Sequence, residues 1–306
     1  MKQWIKDHVP LYKYYIFLKT WIMGKMSLLS PTLVSKIYYK QKFGRPLNLE
    51  NPKEFNEKLQ WLKLKRYQKN PLVIQCADKV RVRDYVEKCG CGEILIDCIG
   101  VYDNEESIPW EQLPEKFVLK CNHGAGYNII CTDKSKLDIE ATKKQLKKWL
   151  KEDYSLAYAE MHYHRIPKKI ICEQYIQPEN GEVPDDYKVY CFDGKADYIM
   201  LCREREHHGD EEVCKYYFFD RDWNFHPWDR STWDEKNVCI EKPEKLDLML
   251  DYAAKLSKGF PFVRVDLYVM GEKIYFGEMT FTPCGCLDGD MALEANEIFS
   301  EKITLR

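Results

Sequence analysis

Two runs of strand-forming residues near the carboxyl end of the sequence each carry a carboxylate in their interior. The stretch VRVDLYVMGEKIYFGEMTFTP, residues 263–283, has Asp266 in the first run and Glu278 in the second, with a short Gly-containing turn between them. A carboxylate inside a strand is costly to bury unless it pairs with a cation or binds a metal. Because side chains alternate along a strand, Arg264 and Asp266 share a face. The stretch therefore predicts a hairpin that holds either a structural ion pair with Arg264 or a Mg²⁺ site.

The rest of the chain alternates further hairpin signals with helical patterns. Asp193-Gly194 lies between two apolar runs, which is a strong signal for a two-residue hairpin turn. Helices with apolar spacing are predicted to begin near Asn51 and at Asp78, and a strand is predicted over residues 93–103. Together these elements predict an α+β fold, in which helices pack against antiparallel hairpins.

Composition narrows the functional classes. The 306 residues are 45% hydrophobic and carry a net charge of -2, so a sizeable core is expected and no general affinity for nucleic acid is indicated. The thirteen cysteines include no CxxC pair, which indicates reduced thiols in a cytosolic protein. The pairs Cys89/Cys91 and Cys284/Cys286 are a weak alternative signal for a soft metal.

The first 45 residues combine aromatic side chains with lysines. Residues 1–49 contain nine Lys/Arg and a single acid, Asp7, whereas the remainder contains 38 basic and 48 acidic residues. The sequence contains no apolar run of about 20 residues and no signal-peptide pattern, so a cytoplasmic protein is predicted. The basic aromatic segment predicts either peripheral contact with the inner face of the cell membrane, or packing on the main domain or a second subunit.

A glycine-containing loop follows a predicted strand that ends in Lys120. In the stretch LKCNHGAGYN, Gly124 and Gly126 would let backbone N–H groups approach a polyphosphate whose charge Lys120 neutralises. The loop matches neither a Walker A nor a Rossmann pattern. An ordinary hairpin turn with a solvated lysine is the alternative.

The order of these segments resembles that of ATP-grasp enzymes. The stretches ADKVRVRDYV, FVLKCNHGAGYNIIC, DYKVYCFDGK and RVDLYVMGEKIYFGEMTFTP are similar to the TupA-like branch, which is linked to cell-surface polysaccharide and teichuronopeptide synthesis. The resemblance runs from about Asn51 to the end and implies an ATP-grasp fold, with two α/β subdomains that clamp ATP. The expected units are a helical amino-terminal region over 1–75, a preceding α/β unit over 76–116, a lid subdomain over 117–177 and a carboxy-terminal subdomain with the Mg²⁺ site over 178–306.

The resemblance also implies roles for individual residues. The residues implied to bind ATP are Lys79, Lys120, His123, Gly124, Gly126, Glu173, Tyr175, Ile176, Asp186 and Lys188. In this set the glycine loop closes over the phosphates, residues 173–176 form the hinge against adenine, Asp186 meets the ribose and Lys188 can face the phosphates. The implied metal ligands are Asp266, Glu278 and Thr280. Thr280 stands where many ATP-grasp enzymes have Asn, and a hydroxyl is a weaker Mg²⁺ ligand than an amide oxygen.

For an ATP-grasp ligase the implied reaction is phosphoryl transfer from ATP to a carboxylate, followed by attack of an amine on the acyl phosphate. Lys79, Lys120 and Arg264 would act with Mg²⁺ by positioning and charge neutralisation. The expected partners are ATP, a uronic acid or glycan carboxylate, and a small amine or amino acid. The alternatives are a sugar or polyol kinase of the same fold, a nucleotide-gated scaffold, and a metal-dependent glycosyltransferase that uses Asp288-Gly289-Asp290.

Two further stretches have candidate roles. His162 and His164 could form a metal pair, with a surface or substrate-loop role as the alternative. The tryptophan-rich residues 221–237 could stack on an acceptor sugar, with packing of a long loop as the alternative.

Overall fold

A computed structural model describes residues 9–176, 184–208, 211–236 and 238–305. The described α-helices are α1 Val9–Leu29, α2 Pro31–Phe43, α3 Phe55–Trp61, α4 Pro71–Ala77, α5 Val82–Lys88, α6 Ile139–Lys151, α7 Leu246–Ser257 and α8 Leu293–Lys302. The described strands are β1 Cys98–Tyr102, β2 Phe117–Cys121, β3 Asn128–Cys131, β4 Ile170–Gln174, β5 Asp185–Phe192, β6 Lys195–His208, β7 Glu211–Asp220, β8 Phe225–His226, β9 Phe262–Met270 and β10 Lys273–Thr280. A π-helical segment, Leu62–Tyr67, continues α3.

The larger sheet has six antiparallel strands in the order β10-β9-β5-β6-β7-β8. Helix α7 packs against β5, β6 and β9 on the core side. The predicted turn at Asp193-Gly194 is confirmed, because β5 ends at Phe192, β6 begins at Lys195, and both turn residues have positive φ, 47° and 80°. The predicted hairpin around the two carboxylates is also confirmed, as β9 and β10.

The smaller sheet has four antiparallel strands in the order β1-β4-β2-β3. Its core contains Phe117, Leu119, Leu146, Ile170 and Cys172, with Leu146 contributed by α6. Strand β1 belongs to the predicted unit 76–116, yet it is hydrogen-bonded to β4 of the predicted lid. Two antiparallel sheets with helices packed on them confirm the α+β prediction.

Three predicted boundaries differ from the structure. The strand predicted over 93–103 begins only at Cys98, because Ile94 and Ile96 are buried in the core beneath α5 and a 3₁₀ turn occupies 92–94. The helix predicted near Asn51 begins at Phe55, where the side chains of Glu54 and Glu57 form a capping box. Asp78 accepts hydrogen bonds from the amides of residues 80 and 81, so it stabilises the turn that precedes α5 and is not the helix N-cap.

Helix α1 has one packed face and one exposed face. Met23 and Ser27 are buried, and the Ser27 hydroxyl donates to the carbonyl of Leu156. Tyr14 and Trp21 are 65% and 55% exposed. No helix in the described ranges has both the length and the apolarity needed to cross a bilayer. Packing of the amino-terminal segment on the main domain is therefore observed for one face of α1, and the other face is left open to solvent.

Candidate active site

The two carboxylates lie on one face of the larger sheet. In the strand register Asp266 of β9 is paired with Glu278 of β10 on one side and with Lys188 of β5 on the other. Directly paired residues in antiparallel strands project from the same face, so the three side chains form one row across the sheet. The next row contains Arg264 and Thr280. The sequence prediction that both acids share a face is thus confirmed.

A bulge at Gly277 sets this register. Phe276 pairs with Leu267 and Glu278 with Asp266, so Gly277 is the extra residue on β10. A Cβ atom at this position would lie 2.9 Å from the Asp266 carbonyl oxygen and 2.9 Å from the Tyr268 ring. The absence of a side chain therefore lets the strands approach closely and turns Glu278 toward the site.

Asp266 is held by two cations. The Arg264 guanidinium donates to both carboxylate oxygens, from Nε and from Nη2, each at 2.7 Å. The Lys188 ammonium lies 2.9 Å from Asp266 and 2.7 Å from Asp186. Burial alone would lower the pKa of Lys188, but the charges of these acids outweigh it and raise the pKa. The ion pair between Arg264 and one acid, one of the two sequence interpretations, is present within a larger charged cluster.

Glu278 is the more accessible of the two acids. Its side chain is 35% exposed, compared with 3% for Asp266. Glu278 accepts a hydrogen bond from the Thr280 hydroxyl at 2.9 Å and lies 3.3 Å from the Lys79 ammonium. Burial alone would raise the pKa of Glu278, but neighbouring cations, first Lys79 and then Arg264, lower it to about 2. Because this value lies below the ordinary 4.5, ionised Glu278 stabilises the fold at neutral pH, and that contribution is lost as the pH falls from 4.5 to about 2.

Lys79 connects the glycine loop to the larger sheet. Its ammonium donates to the Gly124 carbonyl at 2.7 Å as well as to Glu278. The backbone of this segment is fixed by Asn122, whose carbonyl accepts from the Lys79 amide at 3.3 Å and whose side chain donates to Asp78 at 2.7 Å. Three segments far apart in sequence therefore meet at one ammonium group.

Lys120 and Glu173 form an ion pair between neighbouring strands of the smaller sheet. The Lys120 ammonium lies 2.7 Å from Glu173, and the Arg83 guanidinium lies 3.5 Å from the other oxygen of the same carboxylate. Lys79, Lys120 and Gly277 border a common crevice, whose volume is only about 10 Å³. Five of the residues predicted for ATP or metal, namely Lys79, Lys120, Glu173, Gly124 and Glu278, thus lie along the junction of the two sheets.

The ring of His123 is placed inside the smaller subdomain. His123 is buried, its Nε2 lies 3.1 Å from the Trp149 carbonyl, and burial lowers its pKa. A contact of this residue with a nucleotide would therefore come from its backbone. In the same loop a Cβ at Gly124 would lie 2.6 Å from the Tyr154 ring, and Gly126 has a φ of +75°. Tyr175 and Ile176 follow β4 and are half-buried.

A cavity of about 630 Å³ opens beside the charged cluster. Arg264, Glu278 and Thr280 border it on the side of the sheet. Its other walls come from α2, from Ala125 of the glycine loop, from residues 154–163 and from residues 282–287. Sequence reasoning missed the walls from α2 and from residues 154–163, although the aromatic residues of the first 45 positions and the stretch MHYHR were the available signals.

A sequence profile of TupA-like ATP-grasp proteins matches residues 57–304 of the chain. The chain belongs to the TupA-like ATP-grasp family. The resemblance noted from the motifs is confirmed, and the ATP-grasp fold explains the pair of antiparallel sheets with charged residues at their junction.

Solved structures of other ATP-grasp proteins are also similar to this chain. A D-alanine–D-alanine ligase from Bacillus anthracis is 17% identical, with a TM-score of 0.44 over 74% of this chain and 63% of the ligase. The ADP complex of PurK, an N5-carboxyaminoimidazole ribonucleotide synthetase, is 14% identical, with a TM-score of 0.44 over 74% of this chain and 50% of that protein. The chain spans less than two thirds of the length of these proteins. No curated protein matches the sequence.

The oxygen donors of this TupA-like ATP-grasp protein fit Mg²⁺ only when phosphates complete its shell. Asp266 and Glu278 supply two carboxylates and Thr280 one hydroxyl, which are hard ligands of the kind that Mg²⁺ prefers. Within the described residues no group of three or more His, Cys, Asp or Glu side chains could hold a metal ion. Since both oxygens of Asp266 already accept from Arg264, Glu278 is the carboxylate more open to a metal.

The fold does not bring together the two histidines or the tryptophans that the sequence suggested as candidate sites. His162 is buried, whereas His164 is exposed and pairs with Asp153 at 2.6 Å. Asp288 accepts from the backbone amide of Asp290. The tryptophans of residues 221–237 do not form one platform. Their surroundings differ, with Trp223 stacked on Phe219, Trp228 buried in the core and Trp233 exposed.

Proposed function

We propose that this TupA-like ATP-grasp protein is an ATP-dependent ligase that activates a carboxylate as an acyl phosphate and joins it to an amine. The observation that supports this is the cluster of Lys79, Lys188 and Arg264 around Asp266 and Glu278, at the border of a cavity large enough for a substrate. Phosphoryl transfer depends on positioning and on neutralising charge, which such a cluster provides without a protein nucleophile.

ATP would bind at the junction of the two sheets. Lys79, Lys120 and the loop with Gly124 and Gly126 would contact the phosphates. The adenine would lie against the hinge, residues 173–176, and Asp186 would meet the ribose. Lys188 lies within hydrogen-bond distance of Asp186 and Asp266, so it is placed to share its charge between those acids and a phosphate. When bound, Mg²⁺ would supply charge neutralisation of the phosphates, held by Asp266 and Glu278 with Thr280 beside them.

The cavity supports a sugar acid as the carboxylate substrate. Tyr38, Tyr154, Tyr158 and Tyr163 line it, and Lys42 adds a positive charge on α2. Aromatic rings stack on sugar faces, phenol hydroxyls bond to sugar hydroxyls, and cations pair with a carboxylate. These features favour a uronic acid or a glycan that carries one, which would place the enzyme in surface-polysaccharide synthesis. The same walls also suit a sugar or polyol kinase.

The test of this function is ADP release over a panel of carboxylates. D-glucuronate, D-galacturonate and UDP-glucuronate would be supplied with and without small amines such as glycine, L-glutamate and ethanolamine, and the products would be identified by mass spectrometry. A ligase is expected to release ADP in step with amide formation. ADP release that needs no amine and yields a phosphorylated sugar would indicate the kinase, and the absence of ADP release together with UDP-sugar binding would contradict both.

Lys120→Ala is expected to weaken ATP binding by roughly 10- to 150-fold, because a half-buried phosphate-facing cation contributes on the order of 1.5–3 kcal/mol. Isothermal titration calorimetry with ATP and Mg²⁺ would measure the Kd. Lys144→Ala is the matched control, since Lys144 is exposed on α6 of the same subdomain. An unchanged Kd for Lys120→Ala would mean that Lys120 only balances the charge of Glu173.

We place the enzyme in the cytoplasm, with peripheral contact between α1 and the inner face of the membrane. The exposed rings of Tyr14, Tyr15 and Trp21 and the basic residues of α1 support this contact. Replacing these three aromatics with Ser is expected to reduce co-sedimentation with phosphatidylglycerol vesicles several-fold, while leaving the packed residue Met23 intact. Phosphatidylcholine vesicles are the control. Equal co-sedimentation of the parent and the variant, or none by the parent, would remove the membrane contact.

A further inference from the structure

We propose that Glu160 is the general base that takes a proton from the amine nucleophile, and that the 630 Å³ cavity is where this amine meets the activated carboxylate. The inference rests on the proposed ligase function and adds to it the site and the chemistry of the second step.

The position of Glu160 carries the inference. In the chain Glu160 follows α6 and precedes β4. It is only 3% exposed and lines the same cavity as Arg264 and Glu278. One carboxylate oxygen accepts a hydrogen bond from the Thr282 hydroxyl at 2.5 Å. Within the described residues the other oxygen accepts no hydrogen bond and is not one of the fully buried polar atoms that lack a partner, so it is open toward the cavity. The ammonium group of an amine bound in the cavity would donate to it.

The buried ammonium of Lys63 lies near Glu160 and contacts the backbone of the cavity wall. This lysine lies on the π-helical segment, is 1% exposed, and donates to the carbonyls of Tyr158 at 2.8 Å and Gly285 at 3.5 Å. Tyr158 and Gly285 both line the cavity and lie next to each other, since a Cβ on Gly285 would be 2.9 Å from the Tyr158 ring. Residues 284–286 all have positive φ, which includes two cysteines in a conformation that costs free energy. The Lys63 ammonium therefore joins two neighbouring segments of the cavity wall that contains Glu160.

The remaining groups in the cavity do not suit a base. Glu278 is the other carboxylate among the lining residues, and its oxygens are already paired with the Lys79 ammonium and the Thr280 hydroxyl. Burial raises the pKa of Tyr154 and Tyr163, so both phenols stay protonated. Burial raises the pKa of the Cys284 thiol to about 11.

Glu160 has the acid–base character that a general base requires. Burial raises its pKa, against the opposing effects of the Thr282 hydrogen bond and the Lys63 charge. The titratable groups that face it are Lys63, Tyr154, Tyr163 and Cys286. A base whose pKa is raised toward the working pH takes up a proton more readily than an ordinary carboxylate.

The proton balance of the step is complete. An ammonium substrate loses one proton to Glu160 and becomes a neutral amine. The amine nitrogen attacks the carbonyl carbon of the acyl phosphate, the C–N bond forms, and the C–O bond to phosphate breaks with its electron pair leaving on the phosphate. The second nitrogen proton passes to the departing phosphate, and Glu160 returns its proton to solvent.

The experiment compares two nucleophiles on Glu160→Gln. Gln keeps the size of the side chain and can still accept from Thr282, but it cannot take a proton. Hydroxylamine is uncharged at neutral pH and traps an acyl phosphate as a hydroxamate without a base, whereas glycine and ethanolamine are ammonium ions. The carboxylate probe is the member of the panel above that gives the parent its highest hydroxamate yield. Glu105→Gln is the matched control, since Glu105 is equally buried but lies in the smaller subdomain and pairs with Lys147.

Glu160→Gln is expected to keep hydroxamate formation within about twofold of the parent and to lose amide formation by at least about 100-fold. The loss should shrink as the pH is raised toward the pKa of the amine, because more of the amine is then already neutral. Glu160→Asp, which keeps a carboxylate, should recover part of the amide formation. Retention of hydroxamate formation also shows that Glu160→Gln is folded.

Three results would overturn the assignment in distinguishable ways. Equal amide formation by the parent and Glu160→Gln means that Glu160 is not the base. Loss of both products with an unchanged thermal midpoint means that Glu160 acts in activating the carboxylate. The absence of hydroxamate from the parent with every member of the panel contradicts the proposed function itself, and the role of Glu160 with it.

Discussion

Glu278→Gln is expected to reduce Mg²⁺-dependent ADP release by at least about 100-fold, which is the size of effect seen when a charge-stabilising group is removed from an active site. The substitution keeps the side chain's shape and its contact with Thr280 but removes the negative charge that faces Lys79. It also removes the carboxylate that is more open to a metal. ADP release with ATP and the best carboxylate of the panel, measured over a Mg²⁺ titration, would report the effect as a lower rate and a higher Mg²⁺ requirement.

Glu272→Gln is the matched control for this experiment. Glu272 lies in the turn of the same hairpin, is 83% exposed, and pairs with Lys245. It is expected to leave ADP release within about twofold of the parent, since exposed ion pairs contribute little. Asp266→Asn should match Glu278→Gln in ADP release but cost more stability, because it leaves the buried Arg264 without its carboxylate partner and leaves Lys188 with Asp186 alone. Retention of Mg²⁺-dependent turnover in both variants would remove the metal assignment.

The pairing of Asp266 with Glu278 is a feature that the sequence alone could predict. A carboxylate in each of two adjacent strand-forming runs is a local signal, and the short turn fixes which residues can face each other. The same reasoning located the Asp193-Gly194 hairpin. The order of motifs then indicated the family. Such features are readable because each depends on residues close in sequence or on a fixed order of segments.

The walls of the large cavity could not be predicted in that way. Lys42, Glu160 and Thr280 come together only because α2, the segment before β4, and β10 pack around one space. No spacing along the chain reports this contact. In the same manner, His123 was predicted from its place in the glycine loop, yet its ring points to Trp149 because the loop closes over the core of the smaller sheet. Side-chain direction in a loop depends on tertiary packing.

The bulge at Gly277 is a second feature that alternation does not reveal. On β10 the core residues are Ile274, Phe276 and Met279, so the interval between buried side chains changes from two to three across the glycine. A strict two-residue period would give Phe276 and Glu278 the same face and bury the carboxylate in the core. The face of the sheet on which Glu278 lies therefore depends on Gly277, which has no side chain to contribute to the site.

Gly277→Ala tests this dependence and is expected to have the second large effect. The new Cβ would lie 2.9 Å from the Asp266 carbonyl oxygen and 2.9 Å from the Tyr268 ring, which is closer than Cβ contacts that proteins tolerate. The strands must separate or the bulge must move, and either change displaces Glu278 from Lys79 and Thr280. Because a displacement of about 1 Å can cost roughly 100-fold in rate, ADP release should fall by about that factor, with a loss of stability of about 1–3 kcal/mol.

Gly92→Ala separates the effect of the bulge from that of any added methyl group. A Cβ at Gly92 would lie 3.5 Å from the Glu87 side chain, which is an ordinary contact, so ADP release and thermal midpoint should remain close to those of the parent. If Gly277→Ala were to lose stability while keeping its rate, the strands would have accommodated the methyl group without moving Glu278. Parent-like values of both would mean that the bulge does not position this carboxylate. The expected loss of both rate and stability would show that the absence of a side chain at Gly277 determines the face of the sheet on which Glu278 lies.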